Sequence, residues 1–225
     1  MNTPDARFIR PALGALCVAS LAALSACGGE ACFGFNSGCF NGNGATQTVS
    51  LSGTAATGPA LASATVAVNC AQGSGSTLSD GGGHYSLTFN ATLPCTLTVT
   101  TGGTTLHSVA FAGGTFNTTP ETELMLVYLA AQLGTSTARL IADLPNNAHV
   151  QQVLLDASAV QAAQAAVVAN LQQRYALTLA APAFLSTPFV VGQPGVDSDL
   201  VAPAAAGAIY ANGRPDPAAV SVLQQ

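Results

Sequence analysis

The chain has 225 residues, of which 49% are hydrophobic and only 7% charged, with a formal net charge of −5 and no lysine. Disorder goes with high charge and low hydrophobicity, so a folded protein is expected. Nucleic acid is excluded as a partner, because affinity for it rests on clustered cations that neutralise phosphates.

Arg7 and Arg10 stand against Asp5 in the first ten residues, and Pro11 to Ala26 carry no charge. A charged start followed by a short apolar run reads as an export signal. The run is broken by Pro11 and Gly14 and is short of the roughly 20 residues that a permanent span needs. It ends in Leu24-Ser25-Ala26-Cys27-Gly28, which resembles the bacterial lipobox. That resemblance implies cleavage after Ala26 and a diacylglycerol on Cys27, giving residues 1–26 as signal peptide and a palmitate-bearing lipoprotein as product. An ordinary thiol after a soluble-type cleavage site is the competing reading of Cys27. Cys17 lies in the apolar run and leaves with it. Gly28 and Gly29 follow the lipobox where an Asp would, by resemblance to Gram-negative sorting rules, retain the protein in the inner membrane. The expected location is therefore the outer membrane, facing the periplasm. Removing residues 1–26 leaves 3 Arg and 9 acidic residues, a balance of 3 minus 9, or −6.

Residues 27–45 read as a lipid-anchored tether with no lasting period. Cys32 and Cys39 lie seven residues apart there, and in an exported chain such spacing favours a small disulfide-stapled loop. A zinc site would need two further ligands nearby, and no His precedes His84.

From Thr46 to Phe116 apolar and polar residues alternate: Val49 and Leu51, Val66 and Val68, then Tyr85, Leu87 and Phe89, then Leu97 and Val99. A period of two with one apolar face predicts half-buried strands. Gly58-Pro59, Gly73-Ser74-Gly75, Asp80-Gly81-Gly82-Gly83, Gly102-Gly103 and Gly113-Gly114 supply the turns. Strands so closely spaced are expected to form a small antiparallel β-sandwich over residues 46–118. Cys70 continues the face of Val66 and Val68, and Cys95 begins the face of Leu97 and Val99, so both thiols point to one core and a Cys70–Cys95 disulfide is expected. Four cysteines permit three connectivities, so Cys32 or Cys39 paired with either strand cysteine competes.

Gly53, then the run Gly58-Pro59-Ala60-Leu61-Ala62-Ser63-Ala64-Thr65-Val66-Ala67-Val68, followed by Ser79-Asp80-Gly81-Gly82-Gly83-His84-Tyr85-Ser86-Leu87, resembles the carboxypeptidase regulatory-like domain. The likeness covers about 70 residues. It implies a prealbumin-like (transthyretin-like) sandwich and a rigid, non-catalytic module between an anchor and something else. The same region resembles proteobacterial envelope lipoproteins that pair such a sandwich with a helical tail.

After Thr119, Ala, Leu and Gln replace Gly and Thr, and residues 119–225 read as a helical region. Either Thr118 with Glu121 as a capping box, or Thr119 before Pro120 at the first helical position, starts a helix there. Leu124 to Leu129 is apolar on every side, so that helix should be buried. A second helix is expected around 138–144, ended by Pro145. A long helical pattern follows over 150–175, with Asp156 or Ser158 able to cap a break. Pro182, Pro188, Pro194, Pro203, Pro215 and Pro217 forbid long helices in the last forty residues, leaving a wrapping tail with short turns near 202–208 and 217–223. The expected fold class is a segregated α+β: sandwich first, α-helical C-terminal region second.

The chemistry-bearing residues are sparse. His84, His107 and His149 share no metal-ligand spacing, which favours ordinary hydrogen-bonded or exposed histidines. No G-x-S-x-G elbow or S-x-x-K stands in the chain. Gly81 to Gly83 lacks the Lys and the spacing of a phosphate cradle. Glu121 and Glu123 fall in the first turn of a helix, where the macrodipole accounts for them. Asp197-Ser198-Asp199 resembles half a calcium loop without its Gly and distal Glu, so capping of the next turn is the expected role. No cofactor, metal or catalytic residue is expected. The expectation is a lipid-anchored, non-catalytic structural or interaction protein of the cell envelope, with an envelope protein or glycan as partner. The alternative is a periplasmic binding protein for a small apolar ligand, and a cavity of several hundred cubic ångströms among the helices would favour it.

Overall fold

The computed structural model describes residues 46–210 and 212–224, so residues 1–45 with Cys17, Cys27, Cys32 and Cys39 lie outside it. The described part is α+β, strands first and helices second. The alternation of Val49 and Leu51 with serines makes β1 (Gln47–Thr54), and β2 (Thr65–Gln72) follows the same rule. β3 (Ser74–Leu78) runs back antiparallel to β2. The two periodic segments around Tyr85 and Leu97 belong to a single 18-residue strand, β4 (His84–Thr101). β5 (Thr104–Ala110) and the two-residue β6 (Gly114–Thr115) complete the sheet.

β4 is the axis of the sheet. Its first half pairs antiparallel with β1, from Gln47 opposite Ala91 to Thr54 opposite His84. Its second half lies between β2 and β5, so that Val99 faces Val66 on one side and Leu106 on the other. β6 runs parallel to β1, which makes the sheet mixed. On the outer face of β1 the polar residues pair across the strands: Ser50 Oγ lies 2.8 Å from Thr88 Oγ1, and Thr48 Oγ1 donates to Asn90 Oδ1 at 3.1 Å. The inner residues Val49, Leu51, Val66, Val68, Leu97 and Val99 are buried. Such alternation fixes the register, because a slip by one residue would exchange the faces. Gly73-Ser74-Gly75, expected as a turn, is instead only partly so: Gly73 turns at φ +84°, while Ser74 and Gly75 already pair with Asn69 and Val68. The missing side chain of Gly75 lets Leu87 and Phe89 come within 3.3 Å of where a Cβ would stand.

The first helix, α1 (Pro120–Gln132), starts at Thr119 with Pro120 at the first position. The capping partner is Thr122, whose Oγ1 accepts from the Thr119 N–H at 3.0 Å, in place of the expected glutamate. Leu124, Met125, Leu126 and Leu129 are buried, so α1 is enclosed. It packs against β5 and against two later helices, α4 (Ala157–Tyr175) and α6 (Pro217–Leu223). Between them come α2 (Thr137–Asp143), a 3-10 turn (Leu144–Asn146) and α3 (Ala148–Leu155). α3 and α4 meet at 73°, and Asp156 caps the break by accepting from Ser158 N at 2.9 Å. α5 (Val196–Ala205) stands earlier in the tail than expected. No single helix among the described residues is long and apolar enough to cross a membrane.

Sheet and helices share one core, which runs from Val49 and Leu97 through Leu124 and Leu171 to Phe184 and Leu223. A buried Asn117 ties the tail to the sheet. Its Oδ1 accepts from Thr54 N at 3.1 Å, and its Nδ2 donates to Phe184 O at 2.9 Å and Thr187 O at 2.7 Å.

Candidate functional site

Cys70 and Cys95 face each other directly across β2 and β4 and form a disulfide that closes 25 residues, with both side chains in the core. This pairing follows from the shared face of the two strands. Cys27, Cys32 and Cys39 lie outside the described residues.

A cleft of about 670 Å³ lies where four elements meet. The β4–β5 turn and β5 contribute Gly103, Thr105 and His107; α1 contributes Glu123 and Val127; α2 contributes Thr137, Ala138 and Ile141; the tail and α6 contribute Arg214, Pro215 and Val220. The volume lies within the roughly 300–1,000 Å³ of small-molecule sites.

His107, Glu123 and Arg214 are each set in place by hydrogen bonds that involve the backbone. The first turn of α1 lies against the outer edge of β5, and Thr122 Oγ1 stands 2.7 Å from His107 O. Glu123 Oε1 accepts from the backbone N–H of the same His107 and lies 2.8 Å from its ring Nδ1. A carboxylate only accepts, so that ring nitrogen carries the hydrogen. This is the one contact at ion-pair distance between a basic and an acidic side chain found among the described residues. Arg214 is presented by a tight turn: Gly213 N donates to Tyr210 O at 2.8 Å, Tyr210 N to Arg214 O at 2.9 Å, and Arg214 N to Asn212 Oδ1 at 3.1 Å. Gly213 sits at φ +78° with Thr57 and Leu106 pressed against it, so a side chain there would collide. Asp216 fixes the end of the turn by accepting from Tyr175 Oη at 2.9 Å and Tyr210 Oη at 3.2 Å while capping α6 through Ala218 N. The Tyr175 hydroxyl above all holds the Asp216 carboxyl below its ordinary range.

A second, smaller recess of about 340 Å³ lies over Gly53, His84, Tyr85, Phe189 and Val190. The Thr54 hydroxyl donates to Phe189 O at 3.1 Å and receives from His84 Nδ1 at 2.9 Å. The Tyr85 hydroxyl donates to Phe116 O, and its burial raises its pKa. A Cβ at Gly53 would meet Phe116 O, so only glycine fits there.

Two acidic expectations are corrected. Asp199 does not cap α5, whose N-cap is Gly195; its carboxylate is buried and accepts from Ala180 N at 2.7 Å and Ala181 N at 2.8 Å. The macrodipole alone does not describe Glu121 either. Its side chain is buried with no hydrogen-bond partner on either oxygen, and burial, with the charge of Asp199 added, pushes its pKa up to about 7. His149 is exposed at the start of α3. Gly81 to Gly83 form a turn in which Asp80 Oδ1 accepts from Gly82 N and His84 N, both at 2.8 Å. Among the described residues no three His, Cys, Asp or Glu stand together to hold a metal.

Sequence reasoning missed the meeting of His107, Glu123 and Arg214, which are 16 and 91 residues apart in the chain and share no motif. One signal was available. Arg214 is one of three cations after residue 26, set in the turn sequence Asn212-Gly213-Arg214-Pro215. The chain matches no family model, no curated protein and no solved structure.

Proposed function

We propose that the chain is a lipid-anchored protein of the cell envelope, held by Cys27 to the outer membrane, with a non-catalytic interaction role. The observation that carries this reading is the Cys70–Cys95 disulfide. Disulfides of this structural kind persist in oxidising compartments, which agrees with residues 1–26 as an export signal. The same reading takes the β part as a carboxypeptidase regulatory-like sandwich; the Asp80 turn, buried Ala64 leading into β2 with Val66 and Val68 buried, and the buried Tyr85 support it.

A second reading, a binding protein for a small apolar ligand, is favoured by the 670 Å³ cleft and its Val127, Ile141 and Val220 wall. Both readings share the anchor. Metabolic palmitate labelling tests it: wild-type chain should take up label and Cys27→Ala should not, while Gly28→Asp should move the protein toward the inner-membrane fraction. Label retained by Cys27→Ala overturns the assignment.

A further inference from the structure

We infer that the cleft bounded by β5, α1, α2 and α6 takes a small amphipathic anion, its apolar body against Val127, Ile141 and Val220 and its charged head on Arg214. This rests on the small-ligand reading above and adds the chemistry of the head group.

One acidic side chain and one arginine line the cleft, and they differ in what they already bind. Glu123 is committed: its side chain is 13% exposed and one of its oxygens faces both the backbone N–H and the ring of His107. A cationic ligand would have to displace His107 and strip the edge of β5 of its acceptor. Arg214 is exposed at the rim, and no acidic side chain among the described residues pairs with it. The acid nearest in sequence, Asp216, is turned to Tyr175 and Tyr210. An unpaired guanidinium presents a planar fork of donors that matches a carboxylate or phosphate. Thr105 and Thr137 line the same space, and a threonine hydroxyl can donate to such a head group.

The rest of the wall is apolar: Val127, Ala138, Ile141, Pro215 and Val220. A wholly polar anion would leave that wall wet, and a wholly apolar ligand would shield Arg214 from water without replacing its hydration. A molecule with an apolar chain and one anionic end satisfies both. The net negative charge of the chain opposes an anion at long range, but it is screened beyond about 8 to 10 Å at physiological salt, so the local Arg214 decides.

Titration calorimetry on the purified full-length chain with octanoate, octan-1-ol and octylamine tests the inference. Octanoate should bind at least about tenfold more tightly than octanol or octylamine, the scale of one charge-assisted hydrogen bond. Arg214→Gln should erase that preference by weakening octanoate far more than octanol, and Arg214→Lys should restore part of it. Equal binding of octanoate and octanol by the wild type would overturn the anion assignment while leaving the apolar-ligand reading in place. A preference for octylamine, or a preference for octanoate that survives in Arg214→Gln, would also overturn it. Binding of none of the three would overturn both readings, with circular dichroism and the intact disulfide showing that each variant is folded.

Discussion

Glu123 and His107 are joined twice, through the ring Nδ1 at 2.8 Å and through the backbone N–H of His107, and together they seal the outer edge of β5 with the first turn of α1. Edge strands expose unpaired N–H and C=O groups that invite pairing with other chains. Here Glu123 takes the N–H and Thr122 lies on the C=O of the same residue.

Removing the acceptor should therefore cost more than a surface ion pair. Glu123→Leu leaves the His107 N–H unsatisfied in a half-buried position, for which a loss of about 1 to 3 kcal/mol is expected. Glu123→Gln keeps a carbonyl oxygen as acceptor and should lose less. Urea unfolding of the three proteins gives the comparison, and equal stability of Glu123→Leu and wild type would show that the edge is not sealed by this contact.

Asn117 offers a second case, in which one amide serves three backbone groups at once. Thr54 N, Phe184 O and Thr187 O all depend on its side chain. Asn117→Leu has nearly the same volume but abandons all three, and each buried orphan costs about 1 to 3 kcal/mol. A fall of at least about 3 kcal/mol in unfolding free energy is expected, with protease cutting first in the segment 180–190 as the tail loosens. A variant within about 1 kcal/mol of wild type would mean that other contacts hold the tail.

The difference between what was legible and what was not follows the range of the interactions. Val49, Val66, Leu97 and the residues around them announced their strands because burial on one face of a sheet enforces a period of two. The helix starts at Thr119 and Asp156 were legible because capping is local. The joining of Tyr85 and Leu97 into one strand was not, since polar Asn90 and Thr92 and the proline at 94 between them read as an interruption. The cleft was invisible for the same reason: Arg214 reaches it only because a tail of short turns brings α6 beside α1. Glu121 looked like an ordinary first-turn acid and Asp199 like a cap of the following turn, and nothing in the local sequence says that both are buried.

The disulfide contributes to stability through the unfolded chain. Cys70 and Cys95 close a loop of 25 residues, and the chain-entropy relation gives about 3 to 4 kcal/mol for such a loop. Cys70→Ala with Cys95→Ala should lower the unfolding free energy by about that amount, and reduction of the wild type should lower it similarly. Peptide mapping without reductant should recover the cross-linked pair from exported protein. Both thiols free in that material would contradict the shared face of β2 and β4.

Glu121 gives the last prediction, a dependence of stability on pH. Its carboxyl is buried, neither oxygen has a hydrogen-bond partner, and its pKa stands near 7 against an ordinary value of 4.5. Burial is the main cause, and the negative charge of Asp199, which is held by Ala180 N and Ala181 N, adds to it. Because the folded pKa lies above the unfolded one, the native state keeps its proton where the unfolded state has already lost it. The contribution is full below about pH 4.5, declines by about 1.4 kcal/mol per unit as pH rises, and is gone once pH has passed about 7. The whole span amounts to about 3 kcal/mol. Other groups titrate in the same window, so the informative quantity is the difference between wild type and Glu121→Gln, a neutral side chain of the same shape. Urea unfolding from pH 4 to 8 should show the wild type losing stability relative to Glu121→Gln across that window, and running parallel to it above. Parallel curves throughout the range would mean that Glu121 is ionised in the fold and that a counter-charge, not burial, sets its state.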